Sequence, residues 1–129
     1  MKFTVHSEAE ARKASERMLL AAGFYLGRII EAAEKVSNAG NETIELLVAV
    51  DNADGSGREF FIRDWLVGND RGALKLRHAA EAVGQLARYQ AGEIGPEDFP
   101  GHDVRVKVII EKRRGYPDQN RIEDYRHVG

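Results

Sequence analysis

Residues 112–116 read Lys-Arg-Arg-Gly-Tyr and are followed by Pro117. A turn needs glycine or proline; it does not need three cations and an aromatic ring. The surplus points to anion chemistry, with Lys112, Arg113 and Arg114 contacting phosphates and Tyr116 offering a flat face. The same pairing of charge and ring recurs in "REFFIRDWLV", where Phe61, Arg63 and Trp65 fall in one strand register. "HDVRVKVIIEKRR" puts Arg105 and Lys107 in the register opposite its valines. Lys35 adds a further cation near the end of the first apolar segment. Single-strand binders combine a cationic track with aromatic platforms, and each stacked base contributes about 1–3 kcal/mol. Every one of these residues also has an ordinary use. Phe61 suits a second core or a dimer contact, Trp65 a core anchor, and Arg105 and Lys107 the solvated side of a half-buried strand.

Catalytic patterns are missing by comparison. "GNDRGALK" has neither the spacing nor the hydroxyl of a phosphate-cradling loop. "DNADGSG" puts Ala53 where a calcium loop needs its second oxygen ligand. His6, His78, His102 and His127 form no paired spacing for zinc, and no cysteine is present to serve as nucleophile, thiolate ligand or disulfide partner. The nearest nuclease constellation is Asp98 or Asp103 with Glu111 and Lys112. Adjacent strand residues point to opposite faces, which separates Glu111 from Lys112. The expectation is a chain without enzymatic activity, metal or cofactor. A divalent-metal nuclease is the distant alternative.

The elements that must position these residues follow from periodicity. With 129 residues, 43% of them hydrophobic, the chain fits one core. A net charge of −2 argues against a uniformly basic surface but allows a local one, and the cations are densest over 105–114. No apolar run approaches the roughly 18 residues that span a membrane, and the first residues lack a signal-peptide pattern. A cytoplasmic protein is the expectation. Residues 7–20 read as a short helix with a capping box at Ser7 and Glu10. Strands are predicted over 23–37, 43–51, 58–67, 102–114 and 120–128. The first of them alternates poorly, with Gly27 marking a bulge or bend. A helix capped by Asn69 or Asp70 runs to about Tyr89 on the spacing of Leu76, Ala79, Ala80, Val83 and Leu86. The order β-β-β-α-β-β is that of a mainly β, five-stranded, OB-fold-like Greek-key barrel with one helix between strands 3 and 4. Residues 1–20 would form an N-terminal helical extension and 21–129 the OB-fold-like domain. In that fold the 2–3 face and the 1–2 and 4–5 loops make the ligand groove, so the three basic and aromatic groups would line one surface.

Several stretches also carry a resemblance: "AAGFY", the hairpin "SNAGNETIELLVAVD", "IRDWL", a helix ending in "AVG", "DFPG" before strand 4, and "NRIEDY" in the last strand. Together they resemble a family of small phage and prophage proteins encoded near replication and recombination functions, over roughly residues 21–126. Members are uncharacterised or are described as single-stranded-DNA-binding proteins. By position, Gly40 and Asn41 fall in the first turn, Asp64 and Trp65 at the end of strand 3, Gly101 in the turn before strand 4, and Asn120, Ile122 and Tyr125 in the last strand. The resemblance implies an OB-like fold and assigns no catalytic residue. This chain closes on "YRHVG" where bacterial single-strand binders often carry an acidic, partner-recruiting tail, so recruitment by that route is not expected. The expected ligand is single-stranded DNA, held by a homo-oligomer, with phage replication or recombination proteins as further partners. The alternative is an OB-fold protein-interaction module, in which Phe61, Trp65 and the hairpin would form a protein interface.

Overall fold

In the computed structural model of the chain, residue 7, residues 19–36 and residues 40–129 are described. Among them five strands form a single antiparallel sheet: β1 (Gly23–Val36), β2 (Glu42–Asp51), β3 (Glu59–Val67), β4 (Asp103–Glu111) and β5 (Gln119–Arg126). Their spatial order is β3-β2-β1-β4-β5. Between β3 and β4 the chain makes helix α1 (Ala73–Ala82), the short helix α2 (Leu86–Gln90) and a 3-10 turn at Pro96–Asp98.

β1 gives the sheet its shape. Its first part, Gly23 to Arg28, pairs with β4, and the part from Gly27 onward pairs with β2. β2 and β4 flank the strand on opposite edges, and only Gly27 and Arg28 are paired on both sides. The register slips between Ile29 and Glu31, so that after the fully buried Ile29 both Ile30 and Glu31 turn out to solvent. That bulge is why β1 alternates poorly in sequence. Gly27 itself is not the bulge: it pairs in register with Val50 and Val104, and its lack of a side chain serves close approach. A Cβ there would lie 3.1 Å from Val48 Cγ1 and 3.3 Å from the Ala49 carbonyl oxygen.

Alternation elsewhere sends one face inward. Leu46, Val48 and Val50 of β2, Ile62 and Leu66 of β3, Val104, Val106 and Val108 of β4, and Ile122 and Tyr125 of β5 are buried together. Ala79, Ala82 and Val83 from the helix region and Phe99 cover that face. The curled sheet brings its two edges, β3 and β5, into contact, but no strand ladder joins them. The expected barrel is thus not closed. The edges meet through side chains instead. Tyr125 Oη donates to Asp64 Oδ2 at 2.7 Å, and Lys75 Nζ of α1 donates to Asp64 Oδ1 at 2.7 Å and to the Ile122 carbonyl at 2.8 Å. Asp64 is 3% exposed, so this carboxylate is retained in the core by having a partner on each oxygen.

The helix reading needs correction at both ends. Asn69 does not cap the helix itself; its Oδ1 accepts from the Gly72 amide at 2.8 Å, in the turn that precedes Ala73. At the other end the predicted helix to Tyr89 stops at Ala82. The Gln85 amide bonds to the Ala80 carbonyl and the Gly84 amide to that of Glu81, with Gly84 at φ +74°. This is a Schellman closure, which needs a left-handed residue that glycine supplies without strain. The predicted N-terminal helix over 7–20 lies outside the described residues except at Ser7, Leu19 and Leu20. The last two run as irregular chain. Leu20 is buried, and its amide and carbonyl are both taken by the Asn120 side chain, at 2.8 and 2.9 Å. No helix among the described residues is long and apolar enough to cross a membrane.

Candidate nucleic-acid interface

The inward set of β3 is Ile62, Asp64 and Leu66, so Phe61, Arg63 and Trp65 must stand on its outer face. Phe61 is 63% exposed and Trp65 49%, so neither is a core anchor. Phe60 packs partly against the core. The edge of β3, with Phe60 and Ile62 from the inward register and Phe61, Arg63 and Trp65 from the outward one, forms one wall of a groove of about 620 Å³. The opposite wall comes from the ends of β4 and β5 and the hairpin between them, through Glu111, Arg113, Asp118 and Arg121. Leu19, Gln119 and Asn120 complete the lining. The groove lies where the sheet edges approach without pairing.

The hairpin itself is a tight turn in which the Tyr116 amide bonds to the Arg113 carbonyl at 3.0 Å. Gly115 takes φ +84° at its third position, a conformation that a side chain would strain. The turn brings the Arg113 guanidinium to 5.4 Å from the centroid of the Tyr116 ring. Tyr116 is 64% exposed, and Lys112 and Arg114 are exposed beside it.

The groove's cations are not free charges. Arg63 lies 4.0 Å from Glu45, Arg113 lies 3.9 Å from Glu111, and Arg121 pairs closely with the same Glu111. Each pair is exposed enough for a competing phosphate to displace the carboxylate, since surface ion pairs are worth about 0–1 kcal/mol. The groove is accordingly aromatic with balanced charge.

Phe61, Arg63, Trp65 and Arg113 are brought together here, and Arg121 joins them. Lys112, Arg114 and Tyr116 stand on the hairpin beside the groove. Lys35, at the far end of β1 opposite Thr43, does not line it. Nor do Arg105 and Lys107, which occupy the outer face of β4. The expected single surface is therefore split, because β1 and β2 lie between β3 and β4 in the sheet. Arg121 escaped the sequence reading because it sits in a strand whose alternation alone accounts for it. Phe24 and Arg126, which meet with the guanidinium 5.0 Å from the ring centroid, belong to β1 and β5 and are joined only through the register of β4.

The carboxylates of the nuclease alternative are dispersed. Asp98 pairs with Arg88 at 2.9 Å, Asp103 with Arg28 at 2.9 Å, and Glu111 with Arg121. Hydrogen bonding to Arg28, and then its charge, hold the Asp103 carboxyl below the usual carboxylate range. Among the described residues no three His, Asp or Glu side chains come together as metal ligands would. His78 is engaged with Asp124 at 2.8 Å.

The chain matches no protein-family model and no curated protein.

Proposed function

We propose that the chain is a non-enzymatic single-stranded-DNA-binding protein with an OB-like fold, of the phage and prophage kind its motifs resemble. The observation that carries this reading is the outer face of β3. Two large aromatic side chains, Phe61 and Trp65, stand exposed on either side of Arg63, facing a groove that Arg113 and Arg121 also line. Exposed rings beside guanidinium groups are what base stacking and phosphate contact require, and no sequence-specific hydrogen-bond code is needed. The strand order supports the fold assignment. A β1 shared between β2 and β4, with edges β3 and β5 in contact, is the arrangement of a partly open five-stranded OB barrel, whose ligands bind on the strand 2–3 face near the 4–5 loop. The protein would cover displaced strand during replication or recombination. Balanced groove charge implies modest affinity per protomer, so several protomers would act along one strand.

A protein-interaction module remains the second reading, favoured by Glu111 and Asp118 in the same groove, which repel phosphate. Trp65 is the chain's single tryptophan, so its fluorescence reports the groove directly. A mixed-sequence single-stranded oligonucleotide should quench it and raise the anisotropy of a labelled strand, with weaker binding at high salt and little binding to the duplex. Absence of quenching and of an anisotropy change at low salt would leave the interaction module in place of this reading.

A further inference from the structure

The outer face of β1, β4 and β5 has its own charge pattern. Arg105 of β4 and Arg126 of β5 are direct cross-strand partners, and both side chains are exposed. Like charges directly opposite each other destabilise a sheet. Among the described residues neither arginine meets a carboxylate, whereas neighbouring Lys107 is paired with Glu123 at 2.8 Å. Two apolar side chains flank the arginines from β1. Leu26 sits opposite Arg105 and is 50% exposed; Phe24 sits opposite Lys107 and is 45% exposed. Arg126 reaches diagonally across β4 to lie 5.0 Å from the Phe24 ring centroid.

We infer that this face is a second contact for single-stranded nucleic acid, in which Arg105 and Arg126 together hold a phosphate and Phe24 stacks an adjacent base. A phosphate between the two guanidinium groups would offset their mutual repulsion and use the planar donors that suit its oxygens. Phe24 already holds a planar cation against its ring, and a base would be stacked in the same way. The inference goes beyond the groove. It shares with the proposed function the class of ligand, but it rests on other residues.

The test uses the full chain with labelled oligonucleotides of two lengths, one short enough for a single contact and one long enough to bridge both faces. The double variant Arg105→Gln/Arg126→Gln removes the charge and keeps long polar side chains at exposed positions, with circular dichroism to check the fold. Expected is a loss of about tenfold or more in affinity for the long strand. The salt dependence should flatten by about 0.7 in log–log slope for the lost phosphate. Phe24→Ala should weaken the long strand without changing that slope. Unchanged long-strand binding in both variants, while Trp65→Ala weakens it, overturns this inference and leaves the groove reading intact. Weakening by the β4–β5 variant with no effect of Trp65→Ala supports this face and overturns the groove. Intact strand binding with a change from oligomer to monomer in sedimentation would instead make the face a contact between copies of the chain, and would overturn the inference.

Discussion

The groove beside β3 and the face across β1, β4 and β5 are built from the same residue types but differ in how charge is arranged. In the groove Arg63, Arg113 and Arg121 each stand near a carboxylate, beside the exposed aromatic side chains Phe61 and Trp65. On the other face Arg105 and Arg126 oppose each other without a carboxylate, and Phe24 is partly covered by one of them. The difference teaches that net charge says little about where a polyanion would bind. A chain of net charge −2 can carry a local site if acids neutralise one surface and leave another alone. It also separates two kinds of affinity. Stacking on Phe61 and Trp65 should depend weakly on salt, while phosphate contact by the arginines of either region should depend on it strongly.

The largest effect should come from removing what holds the groove's two walls together. Asp64 links β3 to Tyr125 of β5 and to Lys75 of α1. Asp64→Ala leaves Lys75 without its partner, and breaking a buried pair in this way costs about 3–5 kcal/mol. Lys75 retains some exposure, so the lower end is expected, measured by urea unfolding. Tyr125→Phe leaves one Asp64 oxygen unsatisfied, at about 1–3 kcal/mol. The tyrosine also sets a pH limit. Burial, the Asp64 charge and the Asp64 hydrogen bond raise the Tyr125 hydroxyl well above its ordinary range. The unfolded chain loses this proton near pH 10 while the folded chain keeps it, so the contribution is whole below about pH 10 and is lost as pH rises further. Unfolding curves from pH 8 to 11 should show that decline in wild type and a shallower one in Tyr125→Phe. Parallel declines would remove Tyr125 as the cause.

Next in size are the exposed rings. Phe61→Ala and Trp65→Ala should each cost about 1–3 kcal/mol in single-strand binding. Fold stability should change little, because both side chains are exposed. The salt slope should stay as in wild type, which is the point of contrast with the Arg105 and Arg126 pair. A slope change in Trp65→Ala would mean that the groove, too, is organised around phosphate. The hairpin charge reversal Arg113→Glu/Arg114→Glu should weaken binding several-fold, and loss of two phosphate contacts would flatten the slope by about 1.4. Binding unaltered by that reversal would remove the hairpin from the interface.

Much of this was readable from local pattern. The inward valines of β4, the shared register of Phe61, Arg63 and Trp65, and the turn at Gly115 each follow from a short window of sequence; that this register faces outward does not, since Trp65 suits a core anchor equally well. The adjacent Ile29 and Ile30 showed that β1 alternates poorly, but the bulge was expected at Gly27 and lies between Ile29 and Glu31. Gly84 was hidden, because the apolar spacing continues from Val83 to Leu86 across the break and one glycine does not interrupt such a pattern. Only the motif ending "AVG" pointed to the true stop. What no window contains is the pairing between distant strands. The split of the cations into two surfaces depends on β1 and β2 intervening between β3 and β4. The meeting of Phe24 with Arg126 depends on two successive registers, and the Asp64–Tyr125 bond spans 61 residues. Residue types at those positions were visible; their neighbours were not.

The smallest effect bears on whether the groove's acids are part of its function. Glu111 is shared by Arg113 and Arg121, so it holds two guanidinium groups against one carboxylate. If DNA phosphate must compete with that carboxylate, Glu111→Gln should improve single-strand affinity, by roughly two- to fivefold, since exposed pairs are worth about 0–1 kcal/mol. The gain should be greater at low salt, where the freed arginines are least screened, and absent in an Arg113→Gln/Arg121→Gln background. Among the described residues the β1–β4–β5 face contains no counterpart of Glu111 between its arginines, so this substitution should leave the Arg105 and Arg126 contribution unchanged. A loss of affinity in Glu111→Gln would mean that the carboxylate positions the two guanidinium groups for the ligand rather than blocking them. The balanced charge of the groove would then be part of its binding geometry.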